Sequence, residues 1–232
     1  MKKLLSVSRD FKTTKGESQG YLTGVLYLAP ADIVKGINVC PFATEGCKKA
    51  CLYTAGKGAI YTVKAARIKK TEYFRDNRQE FMLNLVENIK SLIWKAYRNE
   101  LIPVVRLNGT SDISWENIKF TYNGEIVTIL SLFPNLQFYD YTKNPYRTSA
   151  KNFPKNYYLT FSRSETNEKD VIRLAKTGQN VSVVFKSMPD TYLGKKVVNG
   201  DKNDLRFLDE KNVIVGLLPK GKARKDQTGF VV

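Results

Sequence analysis

Apolar positions along the chain change period several times, and each change marks an element. Between about Ile60 and Asn99, Phe81, Leu85, Ile89, Leu92 and Ala96 recur every three or four residues, the stripe of a helix packed on one side. A break is expected near Asp76 and Asn77, where Asn77 followed by Glu80 resembles a helix start. Short runs rich in β-branched and aromatic residues read as strands: Tyr21 to Leu28, Ile102 to Leu107, Leu136 to Asp140, Tyr157 to Phe161, Val181 to Lys186 and Val213 to Leu217. Glu168 to Lys176 reads as a helix, with Asn167 at its N-cap and Gly178 past its end. Asn123 and Gly124 lie between β-prone runs as in a type I′ hairpin, while Ile126 to Phe133 reads equally well as a short helix stopped by Pro134.

Six short strands with helical or long connections predict an α/β fold, a partial (β/α) barrel-like parallel sheet, with a doubly wound sheet as the alternative. No linker or repeat divides residues 1–232, which read as a single domain. In either architecture, chemistry gathers where strands end, and here the strands run into Asn-Gly-Thr-Ser-Asp, Tyr-Thr-Lys-Asn and Ser-Arg-Ser.

Composition narrows the chemistry. Lys plus Arg number 38 against 22 Asp plus Glu, a formal charge of +16, which favours polyanionic partners. Histidine is absent, which excludes Ser-His-Asp and Cys-His hydrolases and His-held zinc. The apolar stretch in MKKLLSVSRD is shorter than that of a signal peptide, and Ile126 to Phe133 is too short to cross a bilayer. The expectation is a cytoplasmic protein with no membrane partner.

The three cysteines, Cys40, Cys47 and Cys51, fall in one loop after the first predicted strand, at C-x6-C-x3-C spacing. Three thiolates on one loop suit an inorganic centre. Structural zinc wants four protein ligands, so zinc would need a carboxylate such as Glu45. A [4Fe-4S] cluster tolerates three cysteines and keeps one iron open to a small-molecule ligand. Buried, inert thiols are the plain alternative. Lys48, Lys49 and Lys57 flank the loop and favour thiolates.

Past the later strands stand further candidates. Asp112 and Asn108, with Lys143 after the next strand, are placed for catalysis on a bound ligand. Arg106, Ser111, Arg163 and Lys186 are placed to hold a cofactor or anion. Asn108, Gly109 and Asp112 would also serve as an ordinary turn. Asp201, Asp204, Arg206 and Asp209 suggest a carboxylate cluster for a divalent cation or, more simply, an Asp204–Arg206 surface network.

Two stretches are basic without any acid. Gly46 to Thr71 holds Lys48, Lys49, Lys57, Lys64, Arg67, Lys69 and Lys70, and Tyr141 to Ser164 holds Lys143, Arg147, Lys151, Lys155 and Arg163. In the second, Tyr141, Tyr146, Phe153, Tyr157, Tyr158 and Phe161 are interleaved, a pattern that suits stacking on single-stranded nucleic acid and that a core strand would also show.

A strand followed by a three-cysteine loop at the head of a β/α series resembles the radical S-adenosylmethionine enzymes, which implies a cluster whose open iron binds S-adenosylmethionine. Longer segments, CPFATEGCKKAC, RLNGTSDISWE, FYDYTKNP, NGDKNDLRFLD and GLLPKGKAR, resemble the phage gene-product-88-like family, which implies a location in the host cytoplasm. Three functional readings follow: an iron–sulfur enzyme, a phage nucleic-acid-binding protein with a structural or redox-sensing cluster, and a metal-dependent hydrolase using Asp112, Asp201 and Asp204.

Overall fold

A computed structural model of the protein describes residues 2–8, 11–147 and 152–232. In chain order its elements begin β1 (Leu5–Val7), α1 (Phe11–Glu17), β2 (Tyr21–Leu26), α2 (Glu45–Lys49), α3 (Tyr61–Asp76), α4 (Arg78–Arg98) and β3 (Ile102–Arg106). The hairpin β4 (Lys119–Tyr122) and β5 (Glu125–Thr128) follows, then α5 (Ile129–Leu132), β6 (Gln137–Thr142), β7 (Tyr157–Ser162) and α6 (Glu168–Lys176). The chain continues through β8 (Val181–Val184), β9 (Thr191–Tyr192), β10 (Lys195–Asn199) and β11 (Ile214–Leu217).

Nine strands form one sheet in the order β1-β2-β3-β6-β7-β8-β11-β10-β9. The run from β2 to β10 is parallel throughout, and β1 and β9 join antiparallel at the two ends. The fold is therefore mixed α/β with a large, mostly parallel sheet. The six strands read from the sequence are six consecutive parallel members, β2, β3, β6, β7, β8 and β11, and they lie side by side in chain order. A parallel step to the next strand needs a long crossover, which is why α3 and α4 separate β2 from β3 and α6 separates β7 from β8.

Alternation along the strands divides the residues between two faces. One face carries Leu22, Leu26, Val105, Phe138 and Leu159, packed with Phe81, Leu85, Ile89 and Leu92 of α4 and with Phe74 and Trp115. The five stripe positions of α4 are all buried. A Cβ on Gly24 would come within 2.7 Å of the Leu92 side chain, so the helix lies close against β2 only because that position has none. The opposite face carries Val104 and Tyr139, covered by Leu205 and Phe207.

Two open points resolve together. Asn123 and Gly124 have φ of 50° and 86°, the left-handed pair of a type I′ turn, and Thr128 then caps α5 through a capping box with Ser131. Hairpin and helix are both present. Asn167 precedes α6 without capping it by its side chain; it accepts instead from the Ser164 N–H at 2.7 Å.

Asp140, at 0% exposure, joins three strands. Its carboxylate accepts from the N–H groups of Leu107 (3.2 Å) and Asn108 (2.8 Å) just past β3 and from the Tyr157 hydroxyl on β7 (2.8 Å). Burial pushes its carboxyl up to about 7 against the pull of Arg106, Tyr157 and the Asn108 N–H. A folded value above the unfolded one means the native state binds the extra proton, so stability present below about pH 4 is lost as pH rises through about 7. With no histidine to titrate in that range, urea unfolding should show the parent less stable at about pH 8 than at about pH 5. Asp140→Asn should flatten that slope and cost about 1–3 kcal/mol, since one amide must then face backbone N–H groups. An unchanged slope in the variant would show that Asp140 is not its source.

Candidate functional site

The cysteine loop leaves β2 and is tied back at intervals to the segment after β3. Thr110 Oγ1 donates to the Leu28 carbonyl at 2.6 Å and the Asp112 N–H donates to the Val39 carbonyl at 2.8 Å, while within the loop the Val39 N–H donates to the Ala31 carbonyl at 3.0 Å. Thr44 caps α2 by accepting from the Cys47 N–H at 3.2 Å. Glu165, just beyond β7, accepts from the Gly46 N–H at 2.7 Å and from Thr44 Oγ1 at 2.8 Å. A negative charge on these first-turn donors suits a helix N-terminus. On the other side Cys47 and Ala50 pack with Ala223, Phe230 and Val231, and Val231 bridges Val184 in parallel register.

All three cysteines are free and partly exposed. Cys40 Sγ accepts from the Ala31 N–H at 3.3 Å, and Cys51 Sγ from the Tyr53 N–H at 3.5 Å. Burial pushes the Cys40 thiol up to about 12, opposed by the Ala31 N–H and reinforced by Cys51, Asp112 and Cys47. Burial also raises Cys51, opposed by the Tyr53 N–H, Lys143 and Arg67. The three sulfurs, Asp112 and Lys143 thus share one electrostatic neighbourhood. Among the described residues no group of three or more Cys, Asp or Glu side chains is arranged to hold a metal ion. Glu45 offers no fourth ligand for zinc; its carboxylate lies 3.6 Å from Lys48 Nζ.

Asp112 is held between two elements. Its Oδ2 accepts from the Lys143 N–H at 2.8 Å, and its Oδ1 from Arg147 at 3.1 Å. Arg147, at 4% exposure, also grips Glu116 with two bonds of 2.7 Å. Lys143 Nζ donates to Ser162 Oγ at 3.0 Å and lies 5.4 Å from the Phe230 ring centre. Asn108 organises the intervening turn: its Oδ1 accepts from Ser111 Oγ, the Ile113 N–H and Trp115 Nε1, and its Nδ2 donates to the Ile113 carbonyl and Tyr157. Both ends of that amide are engaged by the protein, and so is the Ser111 hydroxyl.

Cys40, Cys47, Cys51, Asp112 and Lys143 therefore lie within electrostatic reach of one another without forming a ligating group among the described residues, and Asn108 and Ser111 stand in the adjoining turn. Arg106 is elsewhere, paired with Asp204 at 2.5 Å beneath the Tyr141 ring. Arg163 bonds Glu168 at 2.9 Å and the carbonyls of Gly229 (2.6 Å) and Phe230 (3.1 Å). Lys186 is exposed, its N–H bonded to Val232 at 2.7 Å.

Two expectations are corrected. The Asp204–Arg206 network is buried rather than on the surface, and each member pairs elsewhere: Asp204 with Arg106, and Arg206 with Asp209 at 3.3 Å. Asp201 meets Lys220 at 2.7 Å, so Asp112, Asp201 and Asp204 are each tied to a separate cation. The aromatic stretch is chiefly core: Tyr157 and Phe161 are buried, and Phe153 stacks on Tyr157 with centres 5.6 Å apart. Tyr146 alone of the interleaved rings is prominently exposed, at 74%. Lys151 lies outside the described residues. Glu165 and Arg147 are the organisers that sequence reading misses, because a lone Glu after a strand and an Arg within a basic run carry no spacing signal.

These features define an α/β protein with a thiol-lined loop over the C-terminal edge of a mostly parallel sheet. The family model described as Gene product 88 matches residues 3–232, and the chain belongs to that phage family. No curated protein and no solved structure matches it. No helix among the described residues is long and apolar enough to cross a membrane.

The raised thiols predict slow alkylation. At about pH 8 an unperturbed cysteine is a substantial fraction thiolate, whereas Cys40 and Cys51 in metal-free protein should react with iodoacetamide at least roughly tenfold more slowly and catch up once the chain is unfolded in urea. Mass spectrometry of the labelled peptides reads this directly, and labelling of Cys40 at the unfolded rate would overturn the burial argument.

Proposed function

We propose that the protein is an iron–sulfur protein, with Cys40, Cys47 and Cys51 holding one four-iron cluster and one iron left for a small-molecule ligand. The observation that supports it is the set of three unpaired thiols on one clamped loop, with the cations of Lys143 and Arg67 acting on Cys51. The donor set suits a cluster better than an ion. Three soft sulfurs are one short of a structural zinc site, whereas a four-iron cluster accepts three.

When bound, such a cluster supplies one-electron transfer and an iron that accepts an outside ligand. The residues of the chain prepare for it in three ways. The Ala31 and Tyr53 N–H groups point at Cys40 and Cys51 sulfurs and favour their thiolate forms. Lys143 and Arg67 offset the accumulated negative charge. Asp112, fixed by Arg147 and the Lys143 N–H, presents a carboxylate beside Cys40 that would orient a polar ligand.

The singly wound order of the six central strands supports reading the sheet as a partial (β/α) barrel, whose functional groups collect at the strand ends. S-adenosylmethionine as the ligand of the open iron is a separable extension. The usual spacing in enzymes that use it is C-x3-C-x2-C, and the spacing here is wider at both intervals.

Protein purified without oxygen should be brown, carry iron and sulfide, and bleach on reduction with dithionite, while Cys47→Ser should lose the iron with the fold retained. Colourless protein that takes stoichiometric zinc and no iron after anaerobic reconstitution would overturn the proposal. With the cluster in place, S-adenosylmethionine should perturb the spectrum of the reduced form; an unchanged spectrum at saturation would remove that extension and leave an electron-transfer or structural cluster.

A further inference from the structure

A second site lies behind the cysteine loop, where the first turn of α3 faces the end of β2. A cavity of about 420 Å³ is lined by Lys3, Lys57, Arg67 and Lys70 together with Tyr27 and Val63, among others. That volume falls within the range of small-molecule sites, about 300–1,000 Å³. Four of its walls are cationic, and none of the described lining residues is acidic.

The walls are of two kinds. Arg67 is buried, at 7% exposure, with its guanidinium 4.6 Å from the Tyr27 ring centre, which fixes a planar cation over a planar ring. Lys70 is oriented by donating to the Leu4 carbonyl at 2.8 Å. Thr62 and Val63 of the first helical turn form part of the lining, and the helix N-cap, Ile60, supplies no side-chain cap. First-turn N–H groups lack helical partners and favour anions, which adds to the charge of the lysines. Leu5, Val63, Ala66 and the Tyr27 ring give the same cavity an apolar side. An inorganic anion would leave that side unused, and a purely apolar ligand would leave four cations facing it.

We propose that this cavity binds a nucleoside 5′-phosphate, with the phosphate on Lys3, Lys57 and Lys70 and the base against Val63, Ala66 and Leu5, while Arg67 over the Tyr27 ring adds its charge from behind. The ligand is either a free nucleotide or the end of a single strand. None of its lining residues is a cysteine, and it meets the cluster reading only at Arg67, which also acts on Cys51.

Calorimetric titration of the full chain with adenosine 5′-monophosphate should show one site, and adenosine and inorganic phosphate should each bind at least roughly tenfold more weakly. The double variant Lys3→Gln/Lys57→Gln and, separately, Val63→Trp should each weaken binding roughly tenfold with the thermal unfolding midpoint retained. Lys222→Gln/Lys225→Gln removes the same charge elsewhere and should bind like the parent. A 5′-phosphorylated oligonucleotide that binds more tightly than both the mononucleotide and its dephosphorylated counterpart assigns the site to a strand end; binding no tighter than the mononucleotide assigns it to a free nucleotide. No mononucleotide binding up to about 1 mM, equal binding of adenosine or of inorganic phosphate, or an equal loss in the Lys222/Lys225 control would each overturn the proposal.

Discussion

Charge taken into the interior and paired there is the constraint on which the C-terminal edge of the sheet depends. Asp140 joins the turn after β3 to β7, and Arg147 joins Glu116 and Asp112 to the end of β6. A buried ion left without its partner costs several kcal/mol, whereas the completed set costs little. Such a network therefore specifies position more than it adds stability. The loops that carry polar side chains at this edge can be irregular because their backbone groups have these fixed partners to bond.

The cysteine loop depends on the same arrangement. Asp112 contributes its N–H to Val39, and its carboxylate accepts from Arg147 and Lys143, so one residue transmits the position of the ionic network to the start of the loop. Glu165 secures the middle of the loop through the first turn of α2. The packing of Cys47 and Ala50 on Phe230 and Val231 secures its far side. Burial raises the Cys40 and Cys51 thiols, and Cys40 feels both Cys51 and Cys47.

Much of the architecture can be read along the chain. The stripe from Phe81 to Ala96 identifies α4, and all five of its residues are buried. The six β-rich runs correspond to the parallel centre of the sheet, since a strand covered on both faces is apolar almost throughout. The outer strands are not legible in this way: the edges β1 and β9 have three residues and two, too few to show a period, and β10 beside β9 reads Lys-Lys-Val-Val-Asn. Tyr157 and Phe161 illustrate the opposite difficulty, because an aromatic among lysines looks the same in sequence whether it faces a base or the core.

For the candidate site, the sequence by itself determined the chemistry available: three thiols within one loop, no histidine, and a surplus of lysine and arginine. It also determined that Asp112 and Lys143 follow neighbouring strands. Only the tertiary structure decided which charges meet. Arg106 lies in the strand that Asp112 directly follows and yet pairs with Asp204, 98 residues away, while Arg147, an unremarked member of a basic run, holds Asp112. The physical reason is that local spacing fixes the direction of a side chain along a strand or helix, whereas an ion pair forms wherever burial makes an unpaired charge too costly, and that depends on segments far apart in the chain.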